Sequence, residues 1–196
     1  MTIEMWFPTI IYHSFIDDLD NVQKELEGSY NKLKKQGKFD RPEFFGEQNH
    51  SVSDPNFNEN IIEKHKLKLF KKTLDWHIKD YLDQVQSHLA KPYKIDACWF
   101  TNTEKGQFAL QHDHSFVDLA GVYYFKTNGN DGDIQFYNPN KLEKTVIHRK
   151  PFAAVRYKPQ VGKIMLWPGW LEHRTMENKT EDTRISLSFN IFFNRF

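Results

Sequence analysis

The hydrophobic period of the chain changes near Pro92, and this change constrains the fold more than any other feature of the sequence. Between Asp18 and Gln36, apolar residues recur at the three- and four-residue spacing of an amphipathic helix. After Pro92, apolar and polar residues alternate in short runs that Gly- and Asn-rich turns separate, which is typical of β-strands. Helices followed by a series of strands predict an α+β protein.

Two helices are predicted in the first half of the chain. The first covers residues 18–36, and Gly37 marks its end. The second runs from Asn60 to about Ala90. Asn60 and Glu63 match a capping box at its start, and its apolar residues form one stripe.

The connection between these helices, residues 38–57, is polar and punctuated by Gly and Pro. Connections of this length are often lids or binding loops. This loop could cover the site and contact substrate through the side chains of Phe39, Arg41, Phe44 and Phe45. Packing of the phenylalanines onto the rim of the barrel is the favoured interpretation.

Eight short strands after two helices indicate a double-stranded β-helix, or jelly roll, with the N-terminal helices packed on one sheet. No linker or repeat interrupts the pattern, so we expect a single domain, residues 1–196. Residues 1–90 are its mainly helical support region and residues 91–196 its jelly-roll core. The strands are expected at residues 94–100, 107–114, 119–125, 132–138, 144–149, 153–158, 163–168 and 184–193.

Charge and cysteine content exclude several classes of function. The 27 basic and 26 acidic residues give a net charge of +1, which provides no electrostatic case for nucleic acid or an anionic membrane. No apolar run is long enough to span a bilayer, and the N-terminus lacks the pattern of a signal peptide. The single cysteine, Cys98, excludes an internal disulfide and predicts a reducing, cytoplasmic location.

The tripeptide His112-Asp113-His114 is the candidate metal site. In a strand, residues two apart share a face, so His112 and His114 lie side by side and Asp113 points away. His173, which follows a corner in the chain, is the candidate third ligand. Three ligands on one face leave the rest of an octahedron open, as in non-haem iron oxygenases. The remaining histidines have no partner at ligand spacing and are assigned no function: His13, His50, His65, His77, His88 and His148.

The last predicted strand carries a second candidate site. Arg184, Ser186 and Ser188 alternate with apolar residues, so one face of the strand is polar. If that face points into the barrel, Arg184 is a buried charge that needs an anionic partner. Its planar guanidinium matches a carboxylate in two hydrogen bonds, which suits a small dicarboxylate cosubstrate. An arginine that reaches solvent, or that pairs with Glu172, is the alternative.

Four segments resemble a known family when they are taken in order: HDHSFVDLAGVYYF, GDIQFYNP, KPQVGKIMLWPGWLEH and RISLSFN. They are similar to the 2-oxoglutarate- and Fe(II)-dependent oxygenases of bacteria and marine phages, and more distantly to the prolyl-hydroxylase type of catalytic core. The opening segment WFPTIIY resembles the start of the same family. The resemblance implies a jelly roll with Fe(II) as cofactor and 2-oxoglutarate as cosubstrate.

The resemblance also implies roles for individual residues. His112 and His173 correspond to iron ligands, and Arg184 to the anchor of the distal carboxylate of 2-oxoglutarate. Ser186 assists on the same face. Tyr124 aligns with a residue that hydrogen-bonds the same carboxylate, although a packed aromatic ring is an equal alternative there.

The sequence departs from the family at one position, because His114 stands where most members carry an aspartate. A three-histidine site of His112, His114 and His173, as in cupin-type dioxygenases, needs no distortion and is preferred. Asp113 after a local bulge, or Asp118 from the following loop, is the alternative third ligand. Either carboxylate can otherwise orient an imidazole N–H.

The sequence therefore predicts a 2-oxoglutarate- and Fe(II)-dependent dioxygenase that hydroxylates an unidentified small molecule or protein side chain. A cupin-type metal enzyme that uses no 2-oxoglutarate is one alternative. A non-catalytic jelly roll, such as a phage structural or binding protein, is the other. The exposed edge strands of a jelly roll offer a surface for dimerisation.

Overall fold

A computed structural model describes residues 8–41, 50–85, 92–140 and 153–193. The helices are α1 (Leu19–Lys35), α2 (Ile61–His65) and α3 (Lys68–Gln84). The strands are β1 (Tyr12–Phe15), β2 (Ser51–Val52), β3 (Tyr93–Thr103), β4 (Ala109–His112), β5 (Leu119–Lys126), β6 (Ile134–Tyr137), β7 (Ala154–Tyr157), β8 (Lys163–Pro168), β9 (His173–Thr175) and β10 (Arg184–Phe193).

The strands form two antiparallel sheets. The large sheet has six strands in the order β1-β8-β5-β10-β3-β2, and the small sheet has four in the order β4-β9-β6-β7. Neighbours in both sheets are far apart along the chain, which is the pattern of a double-sheet jelly roll. The polar and apolar faces of β10 point to opposite sides of the large sheet, as the alternation in its sequence predicts.

The main core lies between the large sheet and the helices. Ile185, Leu187 and Phe189 on β10 are buried there, together with Leu26 of α1 and Leu74 of α3. Full burial of a side chain of this size contributes about 1.5–3 kcal/mol. The apolar faces of α1 and α3 therefore hold the helices on one sheet, as predicted.

A second, smaller core lies on the opposite face of the large sheet, towards the small sheet. It contains Val122 of β5, Met165 and Trp167 of β8, and Ile134 and Phe136 of β6. Residues of both sheets contribute to it, so it joins the two layers. The polar residues of β10 share this inner face, because they alternate with those of the main core.

The first predicted helix agrees with α1 within one residue at each end. The prediction of one long second helix is wrong, because Lys66 adopts a left-handed conformation (φ 55°) that ends α2. The turn lets Leu67 enter the main core, where its side chain is 3% exposed. Asn60 caps α2 by accepting a hydrogen bond from the Ile62 amide at 3.0 Å. Residues 86–90 of the predicted helix lie outside the described residues.

Three short strands were not predicted. β1 and β2 extend the two edges of the large sheet, and the three-residue β9 lies in the middle of the small sheet. Strands of two and three residues, such as β2 and β9, carry too few alternating positions to be recognised in the sequence. The predicted strand at residues 144–149 lies outside the described residues.

In the long connection, Phe39 packs against the main core, with its ring 5.3 Å from that of Tyr30. Phe44 and Phe45 lie outside the described residues. Within the described part of the chain, no helix has the length and hydropathy needed to cross a membrane.

Candidate metal centre and anion site

The three candidate ligands come together at the edge of the small sheet, where β4 ends beside the start of β9. His112 ends β4 and is paired with His173, the first residue of β9. The prediction that β4 continues through His114 is wrong, because β4 ends at His112. The His114 amide instead donates to the Gly169 carbonyl at 2.8 Å, which holds the residue beside the corner that leads into β9.

The three imidazoles face one another. Their ring centroids are 4.4 Å apart for His112 and His173, 5.2 Å for His114 and His173, and 5.4 Å for His112 and His114. One nitrogen from each ring can be chosen so that all three lie within 4.8 Å of one another. The arrangement provides three imidazole nitrogens as metal ligands, a type of ligand that suits iron, zinc and copper.

Hydrogen bonds select which nitrogen of each ring is available. The Nδ1 atom of His112 lies 2.7 Å from the Leu110 carbonyl, and that of His173 lies 2.9 Å from the Leu171 carbonyl. The Nδ1 atom of His114 lies 2.7 Å from Oδ1 of Asn190. Each acceptor is a carbonyl oxygen, so each Nδ1 must donate. The lone pairs therefore lie on Nε2 in all three rings, which is the form that binds a metal.

Burial keeps the three imidazoles neutral. It lowers the pKa of His112, lowers that of His114 to about 4, and holds that of His173 well below its ordinary value. The proximity of the rings adds to the effect on His114 and His173. Neutral imidazole is the ligand form, so the site is ready for a cation without losing protons.

The two carboxylates considered as alternative ligands have other partners. Oδ1 of Asp113 accepts hydrogen bonds from the amide and the hydroxyl of Ser115, at 2.7 and 2.6 Å. Oδ2 of Asp118 accepts from the Phe193 amide at 2.8 Å. Asp113 is exposed, and its carboxylate faces the loop rather than an imidazole N–H. The sequence allowed either carboxylate to accept a hydrogen bond from an imidazole N–H. In the structure, the acceptors at the three Nδ1 atoms are instead the carbonyls of Leu110 and Leu171 and the side chain of Asn190.

The histidines line a cavity of about 270 Å³ between the two sheets. This volume is close to the lower end of the range for small-molecule sites. Its walls are mostly apolar and aromatic, and its polar groups come from strands of both sheets and from the loops beside them. The lining residues are His50, Phe57, Trp99, Thr101, Ala109, His112, Asp113, His114, Val117, Gly121, Val122, Tyr124, Ile134, Trp167, His173, Thr175, Arg184, Ser186, Ser188 and Asn190.

Arg184 is the charged group at the other end of this cavity. It is 2% exposed, and burial lowers its pKa. Its Nη1 donates to the carbonyls of Asp131 and Gly132, and its Nη2 donates to the Thr103 hydroxyl at 3.1 Å. Among the described residues, no carboxylate lies within 4.0 Å of the guanidinium. Pairing with Glu172 does not occur, because Glu172 accepts from Gln111.

A row of hydroxyl groups crosses the large sheet next to Arg184. Ser186 on β10 is paired with Thr101 on β3 and with Tyr124 on β5, and all three line the cavity. The Thr101 hydroxyl is buried without a hydrogen-bond partner in the described parts of the chain. Burial raises the pKa of Tyr124 to about 12, so its hydroxyl is a hydrogen-bond donor at neutral pH. A buried cation beside three hydroxyls fits the carboxylate of a ligand.

Two residues of this site were not predicted from the sequence. His50 was assigned no function, yet it lines the cavity near Arg184 and His112 and hydrogen-bonds the backbone of Phe108. Burial, with those two neighbours, lowers the pKa of His50 to about 3. Asn190 continues the polar alternation of β10, so the sequence indicates that it lies on the same face as Arg184. Its contact with His114 could not be predicted, because it depends on the register of distant strands.

The sequence between residues 97 and 190 matches the profile of a family described as "Putative 2OG-Fe(II) oxygenase". The match contains all three histidines, Tyr124, Arg184, Ser186 and Asn190. No curated protein matches the chain in sequence.

Several solved structures share the fold. A prolyl-4-hydroxylase from Pseudomonas putida superposes with a TM-score of 0.63 at 12% identity, covering 95% of this chain and 94% of that one. HygX from Streptomyces hygroscopicus, with nickel, 2-oxoglutarate and hygromycin B bound, has a TM-score of 0.65 at 13% identity, covering 96% and 86%. The epimerase SnoN, in complex with Fe3+, alpha ketoglutarate and nogalamycin RO, has a TM-score of 0.69 at 12% identity, covering 94% and 79%. The predicted jelly roll is confirmed by these similarities.

Proposed function

We propose that the three histidines hold the iron and that Arg184 holds 2-oxoglutarate, in a chain whose residues 97–190 match the 2OG-Fe(II) oxygenase family. The match to this family confirms the predicted enzyme class and its dependence on Fe(II) and 2-oxoglutarate. The individual residues, the hydroxylation reaction and the substrate remain the proposal.

The buried charge of Arg184 is the observation that carries the proposal. The guanidinium is 2% exposed and has no carboxylate within 4.0 Å in the described residues. The more distant Asp131 and Asp133 favour its charged form, but burial outweighs them and the pKa of Arg184 is still lowered, so its charge is only partly compensated. Removing such a charge from water costs at least several kcal/mol unless an anion accompanies it. Protein oxygens take three of its five N–H groups, so two remain for a ligand. A dicarboxylate cosubstrate supplies the anion.

The residues present also fit the metal. One nitrogen from each of the three imidazoles lies within 4.8 Å of the other two, and each ring is held in orientation by the hydrogen bond at its Nδ1 atom. With His114 in place of a carboxylate, all three protein ligands are neutral, so the ion keeps its full double charge. Such a centre binds a dianionic cosubstrate well.

Bound iron and 2-oxoglutarate together supply the activation of dioxygen and the insertion of one oxygen atom into a C–H bond. The chain supplies position and a dry environment. Arg184 binds the distal carboxylate, and the hydroxyls of Ser186 and Tyr124 donate to it. The apolar walls, which include Val122, Ile134 and Trp167, exclude water and strengthen these polar contacts.

An anaerobic titration with Fe(II), followed by 2-oxoglutarate, tests the assignment of the cosubstrate site. We expect a visible charge-transfer band that requires both additions and that is lost in Arg184→Ala. Arg156→Ala is the matched control, because Arg156 is exposed on β7 and does not line the cavity.

The same titration separates the alternatives. Metal binding with no response to 2-oxoglutarate would indicate a metal-dependent dioxygenase of the cupin type. No tight metal binding would contradict both enzymes and leave a non-catalytic jelly roll.

A second pair of variants tests the metal ligands. His114→Ala should abolish iron binding, whereas Asp113→Ala should leave it intact, because Asp113 binds Ser115 and is not one of the three residues whose ligand atoms lie within 4.8 Å of one another. The reverse result would assign the third ligand to the carboxylate.

We further propose that residues 1–196 form one domain, since β1 and β2 pair with strands of the second half. The buried free thiol of Cys98 fits a reducing, cytoplasmic location. The expected partners are 2-oxoglutarate, dioxygen and a substrate that is either a small molecule or a protein side chain.

A further inference from the structure

We propose that Phe57 and Trp99 form a subsite for an uncharged, apolar group of the primary substrate, and that Phe57 determines which groups fit. The inference rests on the proposed function, because it concerns the part of the same cavity that the iron and 2-oxoglutarate leave free.

Strand register places this subsite at the metal end of the cavity. On β3, Trp99 is paired with Ser188 and Ala97 with Asn190, the residue that holds His114. Arg184 is paired with Thr103, four residues further along β3 than Trp99. The anion site and the aromatic pair therefore lie at different levels of the large sheet, with the metal ligands at the level of the aromatic pair.

The subsite has an uncharged surface. The rings of Phe57 and Trp99 are 5.0 Å apart at 66°, an edge-to-face contact, and both residues line the cavity. Val52 and Ala97 complete a small apolar cluster that is separate from both main cores. A charged substrate group placed against this surface would lose its water without gaining a partner. An aromatic or aliphatic group would gain contact area and edge-to-face packing.

The backbone of Phe57 shows that its position is imposed. Its φ angle is 54°, in the left-handed region that bulky residues rarely adopt. The buried carboxylate of Asp54 stabilises this turn by accepting from the amides of Asn56, Asn58 and Glu59, at 3.2, 2.6 and 2.6 Å. A glycine would adopt the same turn without strain. The phenylalanine is therefore held in an unfavourable conformation that directs its ring to the cavity wall.

Both ends of the turn are fastened to β3. The Ser53 amide donates to the Phe100 carbonyl at 2.9 Å, and the Phe100 amide donates to the Ser53 hydroxyl at 3.0 Å. At the other end, the Cys98 amide donates to the Glu59 carbonyl at 3.0 Å. The ring of Phe57 is thus fixed relative to Trp99, and a fixed wall discriminates between substrates by shape.

Binding of three small probes tests this subsite without knowledge of the substrate. Indole is neutral, whereas benzoate and benzylammonium carry opposite charges on a ring of similar size. Saturation-transfer NMR on the full chain, with Zn(II) and 2-oxoglutarate added, should show binding of indole and not of the charged probes. Phe57→Ala and Phe57→Gly should each weaken indole binding by about tenfold, the effect of losing one aromatic partner and its contact area.

The two variants at position 57 separate a local effect from unfolding. Phe57→Gly relieves the backbone, so it should keep the near-UV circular dichroism of the wild-type chain even if Phe57→Ala does not. Asp54→Asn should weaken indole binding by a smaller factor, since the ring stays but its turn loosens. Phe15→Ala is the matched control, because Phe15 is 49% exposed on β1 and does not line the cavity.

Equal binding of the charged probes, or indole binding that is unchanged in Phe57→Gly, would overturn the proposal. Binding of Zn(II) and 2-oxoglutarate to the chain tests the proposed function separately from binding of indole. Indole binding that depends on Phe57 in a chain that takes up neither would support the subsite while contradicting the assigned cosubstrate and metal sites.

Discussion

At the residue scale, the orientation of the three imidazole rings in the candidate metal site depends on three hydrogen-bond acceptors. Two of them, the carbonyls of Leu110 and Leu171, belong to the backbone and survive any substitution. The third is the side chain of Asn190, 76 residues from the His114 that it holds. Asn190 is therefore the position at which the orientation of a ligand can be changed without removing the ligand.

Asn190→Leu should weaken metal binding by about 10–100-fold, the range for loss of an outer-shell hydrogen bond to a ligating histidine. Competition with a chromophoric chelator measures the affinity. Asn190→Asp keeps an acceptor at the same place and should retain most of it. Equal affinities for the leucine variant and the wild type would show that packing alone orients His114.

Gly132 is a second position where a small change should have a large effect. Its φ angle is 105°, and a Cβ atom there would lie 2.2 Å from the Met176 carbonyl and 3.0 Å from Nη1 of Arg184. Gly132→Ala should therefore displace the guanidinium, and 2-oxoglutarate affinity should fall by at least about tenfold, as expected from a loss of 1.4 kcal/mol or more. Isothermal titration of the metal-loaded chain measures it. Gly28→Ala, on the open surface of α1, is the control.

The sequence indicates the residues that give the site its chemistry better than it indicates the residues that surround them. The histidines and the arginine stand out by residue type, and alternation along β10 assigns Arg184 to the inner face. Alternation does not place His114, because β4 ends at His112. Phe57 and His50 could not be found in this way, because their approach to the cavity depends on how a two-residue strand docks beside β3. Contacts that depend on register between distant strands leave no local pattern.

At the element scale, the break between α2 and α3 shows how tertiary packing overrides a continuous helical pattern. The predicted stripe includes Ile62, Phe70 and Leu74, and these residues are indeed buried. The left-handed Lys66 between them lets α2 and α3 reach the core at different angles. Apolar periodicity reports which faces are buried, but it cannot report a turn that preserves the same faces.

Lys66→Gly should stabilise the chain by about 0.5–1 kcal/mol, since a left-handed L-residue costs about 1–2 kcal/mol and the glycine loses part of that gain to chain entropy. Urea unfolding measures the difference. Lys68→Gly, at the start of α3 in a right-handed conformation, should instead destabilise the chain. A destabilised Lys66→Gly variant would show that the lysine side chain stabilises this turn.

The attachment of α3 to β1 should depend on pH through His77. His77 is 2% exposed, its Nδ1 lies 2.8 Å from the Tyr12 hydroxyl, and that hydroxyl donates to Asp80. Burial lowers the pKa of His77 from its ordinary value of 6.5, although Asp80 and Asp17 oppose the shift. The unfolded chain therefore binds this proton first as the pH falls, so stability should decrease below about pH 6.5.

The urea midpoint at pH 7.5 and at pH 5.5 measures this dependence. His77→Gln keeps a hydrogen-bonding side chain but does not titrate, so its midpoint should fall less between the two values. An identical fall in the variant would assign the pH dependence to other groups.

At the scale of the whole molecule, the residues of the proposed metal and cosubstrate sites belong to both sheets. His112 and His173 lie on the small sheet, whereas Arg184 and Asn190 lie on the large sheet. A metal ion with its cosubstrate therefore connects two layers that otherwise meet mainly through the smaller core. Occupancy of the site should stabilise the entire fold rather than one loop.

Saturation with Zn(II) and 2-oxoglutarate, each at about 100 times its dissociation constant, should raise the melting temperature by about 5–10 °C for each ligand. The estimate follows from about 2.7 kcal/mol of linkage and about 2–4 °C per kcal/mol for a chain of this size. Calorimetry with and without a chelator measures the shift. In Arg184→Ala, Zn(II) should still raise the melting temperature, whereas 2-oxoglutarate should no longer raise it further. A shift below 1 °C in the loaded wild type would contradict binding across the sheets.

The position of β10 in the large sheet has a consequence for how the protein is made. β10 lies between β3 and β5, yet it follows every other described strand along the chain. While a ribosome is still synthesising the earlier strands, β3 and β5 have no partner between them, and Asn190 and Arg184 do not yet exist. The nascent chain can therefore present His112 and His173 but not a finished site. Full affinity for iron and for 2-oxoglutarate should therefore require the last strand, which brings Asn190 to His114 and Arg184 to the cavity.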